Sequence, residues 1–148
     1  MAAHHCRIQD DIAEGICNLV ADAVDGASTY GEVKIYTGTE PATANAAAAT
    51  EVATCIAAAD PSFGAAAWNA GTSCWEATNA DDFICASATG HANAVTHFRL
   101  TDSDDVVVLQ GTCTATAGDD LVLTGAVIVA SAEVVITDLV IAVPINQA

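Results

Sequence analysis

Two hydrophobic periods divide this chain. Between residues 8 and 24 apolar side chains recur every three or four positions, at Ile8, Ile12, Ile16, Leu19, Val20, Ala23 and Val24. That spacing gathers them on one stripe of an α-helix. Asp10, Asp11 and Glu14 fall in the first turns, where negative charge complements the helix dipole, and Gly26 supplies a stop. The helix is amphipathic, so its stripe must lie on its own domain or on a neighbour.

After Gly31 the period becomes two. Val33 and Ile35 share one face of a strand over 32–36, and Val52, Thr54 and Ile56 alternate with Ala53, Cys55 and Ala57 in a strand over 51–58. Thr37 to Pro41 breaks the first strand, and the low-complexity run 42–50 reads mainly as an ordered loop or arm. An Ala-rich loop containing Trp68 follows Asp60-Pro61-Ser62-Phe63-Gly64. From Cys74 the pattern predicts strands over 74–78, 82–88, 94–101, 105–114, 120–124, 126–130 and 133–143. Gly, Asn and Asp turns separate most of them. Short strands at this spacing predict a mainly β fold, an antiparallel β-sandwich of jelly-roll-like type with one N-terminal helix. We expect one domain over 1–148, with the N-terminal segment and helix in 1–26 and the sandwich in 32–143.

Composition fits a sheet with thin, small-residue packing: of 148 residues, 33 are Ala, 16 Thr and 15 Val, and only 5% are aromatic. Charge narrows the function. Nineteen acidic residues face Arg7, Lys34 and Arg99 alone, a net charge of −16. Neutralising phosphates takes clustered Lys or Arg, so nucleic acid and anionic membrane surfaces are poor partners. No apolar run is long enough to predict a membrane span. The start shows no secretory pattern, so synthesis in the cytosol with reduced thiols is expected. Cys55, Cys85 and Cys113 then read as small buried hydrophobes.

Candidate chemistry is sparse. Asp102-Ser103-Asp104-Asp105 offers carboxylates to a calcium ion but sits where a hairpin must turn, without EF-hand spacing. His4, His5 and Cys6 suit adventitious metal near a terminus. No Gly-x-Ser-x-Gly, phosphate-binding loop, Gly-x-Gly-x-x-Gly or His-Glu-x-x-His occurs. The expectation is a protein that is not an enzyme, with no cofactor and no metal site. His97 and Arg99 share a strand face opposite Phe98 and Leu100, which suggests a solvent-facing or interface role. Trp68, a bulky ring on an Ala-rich loop, either anchors a neighbouring subunit or covers its own domain.

The run Gly31-Glu32-Val33-Lys34-Ile35-Tyr36-Thr37-Gly38-Thr39-Glu40-Pro41-Ala42 resembles the Ile-Tyr-Thr-Gly-x-x-Pro-Ala opening of small structural proteins of tailed bacteriophages and prophages. The likeness resumes at His97-Phe98-Arg99-Leu100-Thr101-Asp102-Ser103-Asp104 and along Gly111 to Leu123, and it covers most of residues 15–143. It implies a virion structural protein. The leading expectation is a capsid decoration (cement) protein on the head exterior, bound to the major capsid protein, with a trimer favoured. Another is a tail or head–tail joining component that forms a ring. A carbohydrate- or calcium-binding β module is a third. For the interface, the expected segments are the 38–50 arm, the 62–70 loop and the N-terminal segment before the helix, and the expected residues are Pro41, Phe63, Trp68, His97 and Arg99.

Overall fold

The computed structural model describes residues 8–26, 30–118 and 120–145. Among them are one helix, α1 (Asp10–Asp25), and ten strands: β1 (Glu32–Thr37), β2 (Thr50–Ala57), β3 (Ala67–Asn69), β4 (Cys74–Thr78), β5 (Phe83–Cys85), β6 (Val95–Thr101), β7 (Val107–Thr114), β8 (Leu121–Val122), β9 (Val134–Ile136) and β10 (Val140–Pro144). The fold is mainly β and sandwich-like, with the helix at the N-terminal side, as the periodicity predicts. No described helix is long and apolar enough to cross a membrane.

Seven strands make one sheet in the order β8-β7-β6-β1-β2-β5-β9, and three make a second in the order β10-β4-β3. All neighbours are antiparallel except β7 and β8, which run parallel. β1 sits at the centre of the large sheet because it offers a full apolar face. Val33 lies opposite Leu100 and Cys55, and Ile35 opposite Phe98 and Ala53. All six are buried, and they join Phe63, Phe83, Ala77 and Ile141 in one continuous core. Each large side chain buried there contributes about 1.5–3 kcal/mol relative to exposure. Lys34 and Tyr36 alternate to the opposite, polar face.

Helix α1 lies against β4 and β10 of the small sheet. Its inward residues Ala13, Cys17, Ala21 and Val24 are small, so the helix approaches the strands closely. The Cys17 thiol donates to the Ile141 carbonyl at 3.3 Å. Asn18 Oδ1 accepts from the Ala66 amide at 2.8 Å and Asp25 Oδ1 from the Ser62 amide at 2.6 Å. Gly31 is required beneath the helix end, since a Cβ there would stand 2.1 Å from Val24 Cγ1.

The structure corrects the strand pattern in four places. The predicted strand 133–143 is two strands in different sheets. Asn79 breaks it, because its amide donates to the Leu139 carbonyl at 3.0 Å and its Oδ1 accepts from the Leu139 amide at 2.9 Å. Both polar groups of Leu139 are thereby withdrawn from any continuous ladder. The segment 126–130 is not a strand. Its carbonyls accept from the 88–95 loop instead, Ala126 from Val95 and Ile128 from His91, each at 2.8 Å. Of 82–88 only Phe83–Cys85 pairs as strand, and the Trp68 loop contains the short strand β3. The Asp102 turn is as expected: Asp102 Oδ1 accepts from the amides of Asp104 and Val106, each at 2.9 Å.

Candidate interaction surfaces

Two apolar sets lie on α1, and they face opposite ways. The small residues point at the sheet. The large ones expected to form the packing stripe do not: Ile12 is 54% exposed, Ile16 39% and Leu19 68%, with Ile8 exposed beside them. Val20 and Val24 alone of the large set turn inward. An outward row of Ile and Leu on a packed helix leaves apolar area in water.

Trp68 lies on β3, at an edge of the small sheet, and is 42% exposed. Its ring tilts against Trp75 across the ladder, centroids 6.1 Å apart. Trp68 therefore covers its own sheet with one part of the ring and leaves the rest in water. Phe63 is different. It is buried against Phe83, ring centroids 5.9 Å apart, and belongs to the core rather than to a surface that a partner reaches.

Pro41, His97 and Arg99 come together on the polar face of the large sheet. The expectation that His97 and Arg99 face solvent is overturned, because the 38–50 segment folds back over them. Arg99 is 6% exposed. Its Nη2 donates to the Ala46 carbonyl at 2.6 Å and its Nε to Gln110 Oε1 at 3.0 Å. Gln110 Nε2 in turn donates to the Pro41 carbonyl at 2.9 Å and to Glu40 Oε1 at 3.1 Å. The guanidinium lies 5.8 Å from the centre of the Tyr36 ring, whose other neighbour is His97, stacked at 5.1 Å. Arg99 and Gln110 thus latch the Ala-rich segment, which is no free arm in this chain.

A cavity of about 360 Å³ opens beside the latch, lined by Lys34, Tyr36, Arg99, Glu51 and Asp105 among others. Lys34 bonds to Asp105 and lies 3.3 Å from Glu32. The carboxylates offset the two cations, so the cavity does not concentrate positive charge. Burial pushes the Tyr36 phenol up, and Glu51 pushes it further. The phenol therefore stays protonated at neutral pH.

His97 is fully buried, with Nδ1 2.9 Å from Thr96 Oγ1. Burial holds its pKa below the ordinary 6.5, Arg99 lowers it further and Glu40 opposes. The unfolded state then binds the proton more readily, so stability falls as pH drops below 6.5 toward the folded-state value. Denaturant melts at pH 7.5 and 5.5 are expected to show this loss in the wild type. A His97→Gln variant should show a smaller difference between the two, and an equal difference would remove His97 as the cause.

Cys17, Cys55, Cys85 and Cys113 are buried, and burial together with Cys85 and Cys113 pushes the Cys55 thiol up to about 12. Cys74 is partly exposed. His4, His5 and Cys6 lie outside the described residues. Among the described residues no three His, Cys, Asp or Glu side chains gather where they could hold a metal ion.

The sequence reading missed Tyr36 and Gln110 as latch members. A lone Gln inside the apolar run Val106 to Leu109 and Gly111 was the available signal. Comparison with protein-family models, curated proteins and solved structures finds no match to this chain.

Proposed function

We propose that this chain is a structural subunit of a bacteriophage virion, made in the host cytoplasm. In this reading it decorates the head exterior, bound to the major capsid protein. The observation that carries it is the outward row Ile12, Ile16 and Leu19 on a helix whose inner face is already packed. A protein acting alone has no use for that row, whereas a subunit buries it on assembly. The resemblance of residues 31–42 and 97–104 to phage structural proteins suggests the setting. The net charge of −16 favours a seat away from packaged DNA. Repeated copies on a symmetric shell, with a trimer favoured, would add avidity to each small contact. Trp68 offers a second contact at the far edge of the small sheet.

The same row also suits a helix wedged between subunits of a ring, which keeps a tail or head–tail joining component as the second reading. Immunogold labelling of intact particles separates the two: label over the heads supports decoration, label at the neck or tail supports the ring. Absence of label on intact and opened particles overturns both. The interface itself is tested by the variant Ile12→Ser, Ile16→Ser, Leu19→Ser. We expect each exposed change to shift stability by no more than about 0.5 kcal/mol. Occupancy on particles should fall at least about tenfold, the effect of losing about 1.4 kcal/mol of binding. Unchanged occupancy would remove the helix from the interface.

A further inference from the structure

We propose that the cleft between β8 and β9 is a groove that accepts an extended strand from another protein, an apolar segment flanked by Lys or Arg. β8 and β9 are the two ends of the seven-stranded sheet, yet both line one open cleft of about 400 Å³. The sheet is therefore curled until its ends face each other without closing. Among the described residues β8 pairs only with β7, and β9 only with β5. Each facing edge then presents backbone groups that no strand of the fold takes, which is the template for strand addition.

The groove carries a cluster of valines among polar residues and is already formed. Val122, Val127, Val129 and Val135 line it and are exposed, while Ile128 beneath them is buried in the core. The floor does not depend on an occupant. Hydrogen bonds of 2.8–2.9 Å tie it to the 88–95 loop, from His91 to Ile128, from Ser131 to Ala88 and from Ala88 to Ala132. Its strand ends run in opposite directions, since β8 is parallel to β7 and every other step across the sheet is antiparallel. A single inserted strand therefore lies antiparallel to one wall and parallel to the other. The walls are two and three residues long, so the ladder is short and the valines must contribute side-chain burial.

Charge selects the occupant. Glu133 and Asp138 stand at the groove, and among the described residues no Lys or Arg lines it. A strand with basic flanks meets both carboxylates, and an acidic one is repelled. A second copy of this chain does not supply such a strand, because its only basic residues are Arg7, Lys34 and Arg99, too far apart to flank one short segment. Lys34 and Arg99 are also committed within their own fold, Lys34 to Glu32 and Arg99 to Gln110 and Ala46. The occupant is thus a different protein. This proposal stands independently of the virion reading, and either can fail without the other.

The test uses the full chain and a fluorescent heptapeptide, Lys-Val-Thr-Val-Thr-Val-Lys, followed by anisotropy at low salt. We expect binding with a dissociation constant below about 1 mM. The Glu-flanked counterpart should bind at least about tenfold more weakly. A peptide N-methylated at every residue should not bind, because it can donate to neither wall. The variant Glu133→Lys, Asp138→Lys alters two exposed side chains and should reverse the preference toward the Glu-flanked peptide. No binding by the wild type, equal binding of the N-methylated peptide, or an unreversed preference would each overturn the proposal.

Discussion

Gly90→Ala is expected to be among the most damaging single substitutions in this protein. Gly90 has φ +70, a left-handed conformation that costs a residue with a Cβ about 1–2 kcal/mol. Space is the harder constraint. A Cβ would stand 2.2 Å from the Ala130 amide nitrogen and 2.4 Å from the Val129 carbonyl carbon. These are backbone atoms, so no rotamer change relieves the contact. Overpacking of this kind costs a further 1–3 kcal/mol or so, for a total of about 2–5 kcal/mol. Against a typical total stability of about 5–15 kcal/mol, that is a large fraction. Urea denaturation measures it, and a loss under about 1 kcal/mol would mean that the 126–132 segment moves away freely. Gly118 is the control: its φ is +106 but a Cβ meets nothing within 4 Å, so Gly118→Ala should show the conformational cost alone.

The second large effect is expected at Arg99. Arg99→Met keeps the apolar stem and removes the donors to Ala46 and Gln110. Hydrogen bonds from a charged donor contribute about 1.5–3 kcal/mol each, and water recovers part of the loss at the Ala46 carbonyl, so about 2–4 kcal/mol is expected overall. The 42–50 segment should also open. Thermolysin cleavage within 44–49 should accelerate by about tenfold or more, because local opening governs proteolysis there. Arg99→Lys should rescue little, since a single ammonium cannot reproduce the fork that reaches two acceptors. Lys34→Met is the contrast. Its partner Asp105 is largely exposed, and such pairs contribute about 0–1 kcal/mol. Equal losses at Lys34 and Arg99 would show that the latch is general electrostatics rather than two directed bonds.

Local pattern made much of this architecture legible. Alternation located β1 and β2, because one face of each packs into the core and the other lies on the polar side of the sheet. The helix was legible in extent but not in orientation. Ile, Leu and Val dominate any hydrophobic count, whereas the packed face uses Ala13, Cys17 and Ala21, whose small size suits close approach to a sheet. The break at Leu139 was hidden because it depends on Asn79, 60 residues earlier in the chain. The 126–130 stretch has strand composition, yet its carbonyls are claimed by a loop that composition does not reveal. His97 and Arg99 read as outward because strand alternation reports the face, not what covers it. The cover is the low-complexity 42–50 segment, whose own sequence carries no packing signal. Phe63 drew attention as an aromatic beside a loop, and its burial follows from Phe83 arriving across the sheet.

Helix α1 docks on β4 and β10, and its Cys17 meets Ile141 across 124 positions of sequence. During synthesis the helix therefore emerges long before the last strand of its platform exists. Until β10 has left the ribosome, only β4 of that platform is available, and part of the inner face of α1 stays in water beside the outward row. Final packing is then closed by a late strand rather than grown from the N-terminal side. A nascent chain held short of β10 would present part of the small-residue face as well as the outward row to any chaperone nearby. One released past β10 would hide the small-residue face and retain only the Ile and Leu row for its eventual neighbour.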